Sequence, residues 1–308
     1  MHKQVLYSIQ SPYREAMEVI GFQFGKGKKA LCVVGAMRGN EVQQMYVCSQ
    51  LVSRLKELER KGCICENQEI LIIPCVNYYS MNIGKRFWTM DNTDINRMFP
   101  GYYLGETTQR IADGLFQNIQ GYAYGIQLAS FYQQGDFLPH VKMMETGFTD
   151  HDEMMNFGLP YAFVRTPRPY DTTTLNYNWQ VWETKAFSFY TNETEFVDEI
   201  SANTAVESIL RFMVNKGIIK ADISDGCMTE IISEDRLKQI HSPVAGILKN
   251  YVKTGDAFYK GDLLCELLDP LEGNVIKRIE APYDGIVFFR YNRPLVFEKT
   301  VLYKMIRV

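Results

Sequence analysis

Two apolar runs split by an amphipathic stretch restrict this chain more than any other feature. Residues 30–37 read ALCVVGAM and residues 69–76 read EILIIPCV. Each is short, rich in Val or Ile and bounded by glycine or charge, the pattern of a strand buried on both faces. Between them, Arg38-Gly-Asn40 reads as a turn with Asn40 as helix N-cap. From Glu41 onward the apolar positions Met45, Cys48, Leu51, Leu55 and Leu58 recur at helical spacing, until Gly62 ends the run. Strand, helix, strand predicts an α/β fold: a mixed, mostly parallel sheet flanked by helices. Further helices are expected over 107–119 and 195–216, the second with Ile200, Ala205, Ile209, Phe212 and Met213 inward. Further strands are expected over 124–130, 161–166 and 186–191, with a Pro- and Thr-rich loop over 166–174.

From about Thr229 the composition shifts to short β-branched segments broken by Gly-Asp and proline turns. A motif repeats there. Ile240-His-Ser-Pro-Val-Ala-Gly-Ile247 matches Ile279-Glu-Ala-Pro-Tyr-Asp-Gly-Ile286 as Ile-x-x-Pro-x-x-Gly-Ile. Two similar strand–turn–strand units predict a small all-β barrel or sandwich over 226–308, with tight turns at Thr254-Gly-Asp256 and Lys260-Gly-Asp262. Residues 1–225 are left to the α/β domain. The second domain resembles the biotinyl/lipoyl barrel-sandwich fold. Carrier domains of that kind present one lysine at a hairpin tip, in a Met-Lys-Met or Asp-Lys-Ala setting. Here Lys277 sits in Ile-Lys-Arg-Ile, so no swinging-arm cofactor is expected.

Polar chemistry concentrates in residues 91–101, Asp-Asn-Thr-Asp-Ile-Asn-Arg-Met-Phe-Pro-Gly. Pro100 and Gly101 impose a bend, so the run is a shaped loop. The planar fork of Arg97 and the amide of Asn96 suit a carboxylate or phosphate. Alternatively, the carboxylates of Asp91 and Asp94 pair with Arg97 and merely brace the loop. Composition narrows the partners. A net charge of −3 leaves no electrostatic footprint for nucleic acid. The longest apolar runs, such as residues 70–73, are far too short to span a bilayer, and no secretory leader is visible. Seven cysteines, several in apolar strand or helix patterns (Cys32, Cys48, Cys75, Cys265), fit buried thiols in a reducing cytoplasm. Cys63-Ile-Cys65 has no second pair at metal-ligand spacing.

In this order the pieces resemble the succinylglutamate desuccinylase/aspartoacylase family, relatives of the zinc carboxypeptidases. The residues that carry the resemblance are Asn77, Arg86, Asp91 and Asp94-x-Asn96-Arg97-x-Phe99-Pro-Gly101, with the strand–turn–helix at 35–41. It spans nearly the whole chain, the β domain included. It implies hydrolysis of the amide bond of N-acyl amino acids, with a small carboxylate-bearing metabolite as partner, and leaves homo-oligomerisation open. Asn77, Asn96, Arg86 and Arg97 match substrate-binding positions, the two arginines gripping the substrate's carboxylate. It also implies zinc, held by a His and a Glu in a His-Gly-Asp/Asn-Glu turn and by a second His in an Asp-Leu-His run. A Glu in a Glu-x-Gly setting is then the general base. Three protein ligands and an open water position are what catalytic zinc requires.

The metal positions depart from that pattern. The turn reads Arg38-Gly39-Asn40-Glu41, so the carboxylate is kept while the first imidazole becomes a guanidinium with no lone pair to donate. The second His position falls on Ala129, and the base position on Tyr190. A divergent member is therefore expected, with Arg38 taking part in ligand binding, Glu41 and Tyr190 as the residual catalytic positions, and no cofactor despite zinc in the family. Two alternatives retain hydrolysis: a relocated metal site built from His140, Glu41 and Asp136, or metal-free chemistry with Tyr190 as acid or oxyanion donor. A third, a protein-interaction role, rests on the aromatics Phe87-Trp88, Tyr102-Tyr103, Trp179 and Trp182, all read as loop residues. His151-Asp152-Glu153 reads as a polar, exposed loop.

Overall fold

A computed structural model describes residues 1–307. The first 233 residues hold β1 (His2–Ile9), β2 (Met17–Gly25), β3 (Lys28–Ala36), α1 (Val42–Arg60), β4 (Gln68–Cys75), α2 (Tyr78–Met81), α3 (Thr107–Ile119), β5 (Tyr124–Ala129), β6 (Asp136–Phe137), β7 (His140–Met144), β8 (Tyr161–Arg165), α4 (Leu175–Val181), β9 (Lys185–Tyr190), α5 (Glu199–Asn215) and β10 (Glu230–Ser233). Nine of these strands form one sheet in the order β1-β2-β4-β3-β5-β9-β7-β8-β10. Its centre is parallel (β3 with β4 and β5, β5 with β9), as the α1 crossover requires. β1, β2 and the β7–β9 pair add antiparallel joins, which makes the sheet mixed.

Each face of the sheet has its own core. Val33, Ile72, Leu128 and Phe189 pack with Leu51 and Leu55 of α1 and Ile209 and Phe212 of α5. Cys32, Val34 and Ala186 pack on the other face with Ile111 and Leu115 of α3 and Trp179 of α4. Successive side chains on a strand alternate faces. In β9 this puts Ser188 and Tyr190 on the Ala186 face, and the register sets Gln127 and Ala129 of β5 and His140 and Lys142 of β7 directly beside them. That face is therefore apolar at the start of β9 and polar towards its end.

Several expectations change. Asn40 is not the N-cap of α1. Glu41 occupies that position without a side-chain cap bond, because its carboxylate turns back to the Met37 and Arg38 N–H groups just after β3. α5 begins at Glu199, where Asp198 accepts from the Ser201 N–H at 2.8 Å, and Ile200 in its first turn is 83% exposed rather than inward. The 166–174 loop ends in α4, so Trp179 is core (0% exposed) and only Trp182 remains at the surface (47%). Trp88 is buried too, stacked on Tyr79. The 151–153 stretch is a 3-10 turn in which Glu153 is buried.

The remainder is all β: β11 (Lys238–His241), β12 (Gly246–Asn250), β13 (Ala257–Phe258), β14 (Leu263–Leu268), β15 (Val275–Glu280), β16 (Gly285–Arg290), β17 (Leu295–Val296) and β18 (Val301–Arg307). They form two antiparallel sheets, β11-β18-β16-β13 and β15-β14-β12-β17, with β6 added to β16. The repeated motifs occupy equivalent places. Each leaves one strand (β11 or β15), turns at its proline and enters the next (β12 or β16). Both Gly-Asp turns form, with Gly255 and Gly261 at φ +90° and +94°. Lys277 lies within β15, away from any hairpin tip.

Two compact units result: Met1–Ser130 with Pro139–Ile232, and Phe131–Leu138 with everything from Ser233 on. The division at 225/226 read from composition missed the 131–138 excursion. It joins the second unit through Phe137, which packs on Phe289 at 4.5 Å, and Asp136, which pairs with Arg290. No helix among the described residues is long and apolar enough to cross a membrane.

Candidate functional site

β3 ends in a buried turn, and the turn defines the site. Gly39 donates its N–H to the Arg86 carbonyl at 2.9 Å, and a Cβ there would stand 2.2 Å from the Lys85 carbonyl oxygen. Only glycine lets the backbone approach so closely. With the turn pressed under residues 80–86, Glu41 is fully buried and both carboxylate oxygens are engaged. Oε2 accepts from the Met37 and Arg38 N–H groups at 2.8 and 3.0 Å; Oε1 accepts from Arg38 Nη1 at 3.0 Å and from Ser130 Oγ.

Arg38, 3% exposed, turns the other edge of its guanidinium to Asp94. Nε and Nη2 reach Asp94 Oδ2 at 3.1 and 2.9 Å, and Nη1 lies 3.5 Å from Ser130 Oγ. A cation thus sits between two buried carboxylates. The other oxygen of Asp94 accepts from the Asn96 N–H at 3.0 Å and so caps the 3-10 turn Ile95–Arg97. Asn96 Oδ1 in turn accepts from the N–H of Leu175, the first residue of α4, at 3.1 Å. Asn77, 1% exposed, caps α2 by accepting from the Ser80 N–H. Both amides that the resemblance assigns to substrate are thus holding backbone.

Arg97 stands half-buried over the Tyr170 ring, donates to the Tyr170 carbonyl at 3.1 Å and lies 3.9 Å from buried Asp171. Arg165 pairs with the same carboxylate. Arg86 is half-buried, 5.8 Å from the Phe87 ring. The 91–101 loop is braced, as one reading anticipated, but by Arg38 and Asp94 rather than by Arg97. Exposed Asp91 accepts the local Thr93 N–H at 2.9 Å. The peptide before Pro100 is cis, and Gly101 has φ +101°.

Ala129 ends β5 and faces Tyr190 at the end of β9. The Tyr190 ring stacks on His140 (4.9 Å, 6° between planes), and the Lys142 ammonium lies 5.0 Å from it on the next residue pair along β7. His140 is fully buried and meets Phe163 edge-on. Asp136 is engaged by Arg290 and Asn292, and no three His, Cys, Asp or Glu side chains come together as a metal group among the described residues. The His140, Glu41 and Asp136 alternative is therefore not assembled. Burial, reinforced by the nearby Glu41 charge, raises the Cys75 thiol to about 12, so it is no nucleophile at neutral pH. Sequence reasoning missed Ser130, Lys142 and Asp171. Nothing local marks them; the strand register and the loop after β8 bring them in.

The profile of the succinylglutamate desuccinylase/aspartoacylase catalytic domain matches residues 27–180. A curated relative, N-alpha-acetyl-L-2,4-diaminobutyric acid deacetylase of Halomonas elongata, is 23% identical over 281 residues, covering 86% of this chain and 78% of its own. A succinylglutamate desuccinylase from Silicibacter sp. TM1040 superposes with a TM-score of 0.79 at 17% identity, over 99% of this chain and 94% of that one. The product-bound ectoine utilization protein EutE (DoeB) of Ruegeria pomeroyi gives a TM-score of 0.76 at 17% identity, over 95% and 90%. These structural matches establish the fold. The domain profile covers half of the 308 residues, and the chain belongs to the succinylglutamate desuccinylase/aspartoacylase family of N-acyl amino acid deacylases.

Proposed function

We propose that this chain binds a small carboxylate-bearing amide, or a product of its cleavage, through Arg86 and Arg97, and that it does so without zinc. The single observation behind this is the saturation of Glu41, the one carboxylate kept from the family's metal set. Its two oxygens already accept from Met37, Arg38 and Ser130, leaving no lone pair for an ion. Arg38 has no lone pair, and Ala129 offers a methyl group. The donor set does not fit zinc, which takes three such ligands at a catalytic site. The guanidinium stands in for the ion as a fixed charge and keeps the turn folded.

That charge is not spare. Arg38 with Glu41 and Asp94 carries a net −1, so the triad does not itself attract a carboxylate, and anion recognition falls to Arg86 and Arg97 on the neighbouring loops. Metal analysis of protein purified without chelator tests the proposal. We expect well under one zinc per ten chains, together with calorimetric binding of N-acyl amino acids that weakens at least about tenfold in Arg97→Ala. One tightly held zinc per chain overturns it.

One observation favours a second reading, partner binding. Tyr102, Tyr103 and Leu104 form a contiguous surface run, 51, 66 and 67% exposed. Replacing all three with serine should leave amino-acid binding intact; loss of a copurifying protein in that variant would support the partner role. The free state of all seven cysteines fits a reducing compartment.

A further inference from the structure

The β unit exposes one face of its β15-β14-β12-β17 sheet. Residues paired across neighbouring strands share a face. The register sets Leu295 beside Ile247, Ile247 beside Leu268 and Leu268 beside Val275, which makes one apolar row across all four strands. Leu248 and Leu267, the adjacent residues on β12 and β14, belong to the core of the unit, so by alternation the row points outward. Leu295 is 60% and Val275 41% exposed, with Ile247 and Leu268 half-buried between them. Leu271, on the turn that joins β14 to β15, is 94% exposed.

We propose that this face is the contact of a homodimer, in which two copies stack row on row about a twofold axis that runs along the row. A twofold contact needs a surface complementary to itself. Charge gives this face that property. On one side of the row the next outward line is Lys249, Glu266 and Arg278, two cations around one carboxylate, with Lys249 and Arg278 56 and 66% exposed. On the other side lie the β14–β15 turn, with Asp269 and Glu272, and the end of β17, where Glu298 is followed by Lys299. One flank is basic and the other acidic. A half-turn about the row lays the basic flank of each copy over the acidic flank of the other, and brings Arg278 to the 269–274 turn of the second copy. A half-turn about the strand direction would instead set like flank on like flank.

Faces, rather than edges, are left to meet. β15 is the free edge of this sheet, and Lys277 and Arg278 stand in its middle, the kind of charge that keeps edge strands from pairing. Sheets that stack face to face interdigitate their facing side chains. Four strands at ordinary spacing make the row about 14 Å long. The contact is therefore at the small end of specific interfaces, below about 1,200 Å² in total, and dissociates in the micromolar range.

Sedimentation equilibrium of the full chain tests this. Between about 1 and about 200 µM the mass should rise from one chain towards two. Leu295→Asp puts a charge into the row at an exposed position and should weaken the dimer at least about tenfold. Arg278→Glu and Glu272→Lys should each weaken it about tenfold; combined in one chain they restore the attraction in the opposite sense, and affinity should return to within about threefold of the wild type, at unchanged far-UV circular dichroism. If Arg278→Glu disturbs its own sheet through Glu266, Glu272→Lys on the exposed turn carries the comparison alone. A chain that stays monomeric over the whole range, or a dimer that Leu295→Asp or Glu272→Lys leaves intact, overturns the interface. A well-folded double variant no tighter than either single one overturns the twofold arrangement.

Discussion

At the scale of single residues, the buried Arg38 is stable only while its partners stay charged. A guanidinium removed from water costs several kcal/mol and is repaid by two carboxylates in good geometry. Arg38→Met would leave Glu41 and Asp94 buried with no cation between them, so a loss of about 3–5 kcal/mol is expected in urea unfolding. A change under about 1 kcal/mol would mean that the triad contributes little. Gly39→Ala sets a Cβ against the Lys85 carbonyl and should cost about 1–3 kcal/mol by the same measurement, through displacement of the turn. The Arg38–Glu41 pair could be anticipated, since three residues separate the two in sequence. Asp94, the stronger partner by geometry, could not, because it lies 56 residues away and only the folded loop brings it back.

Among elements, two side-chain ties hold separate segments in place. Asn96 joins the 91–101 loop to the start of α4 by accepting from Leu175. Asn96→Ala leaves an orphan helix N–H and should cost about 1–2 kcal/mol, with faster amide exchange at Leu175 as the local sign. Glu153 ties its 3-10 turn to Lys185 on β9 and to Lys216 after α5. Burial pushes its carboxyl up, but hydrogen bonds from the two lysines outweigh this and hold it below the usual range. A depressed folded value means that the stabilisation is present above the ordinary carboxylate pKa of about 4.3 and is lost as pH falls through the lower folded value. Glu153→Gln should therefore be less stable than the wild type by about 1 kcal/mol at pH 7, a screened figure because Lys185 is half-exposed. The gap should close below about pH 4, as thermal melts across pH would show. A constant gap would remove the ionic explanation. Most elements were legible from periodicity, α3 to the residue. α4 was not, because the Pro- and Thr-rich run before it reads as loop and only Trp179, packed into the core, fixes the turn of helix that follows.

For the whole molecule, the second unit depends on residues 131–138, which leave the first unit's chain and pair with β16. Asp136, 5% exposed, is bound by Arg290 and Asn292. Asp136→Ala should destabilise that unit by roughly 2–3 kcal/mol, seen as lost amide protection in β16 while the centre of the nine-stranded sheet keeps its own. Protection lost equally in both would mean that the two units unfold together. Sequence alone determined the local matters here: which runs make strands and helices, the repeat in the β unit, and a guanidinium, which has no lone pair to donate, in the turn after β3. Those are properties of neighbouring residues or of a side chain's own chemistry, and they need no partner. Only the tertiary structure decided what Arg38 pairs with, that Tyr190 lies between Ala129 and His140, and that Leu295, Ile247, Leu268 and Val275 fall in one row. Those facts follow from strand register and loop return, set by the packing of the whole chain, to which residues far apart in sequence contribute together.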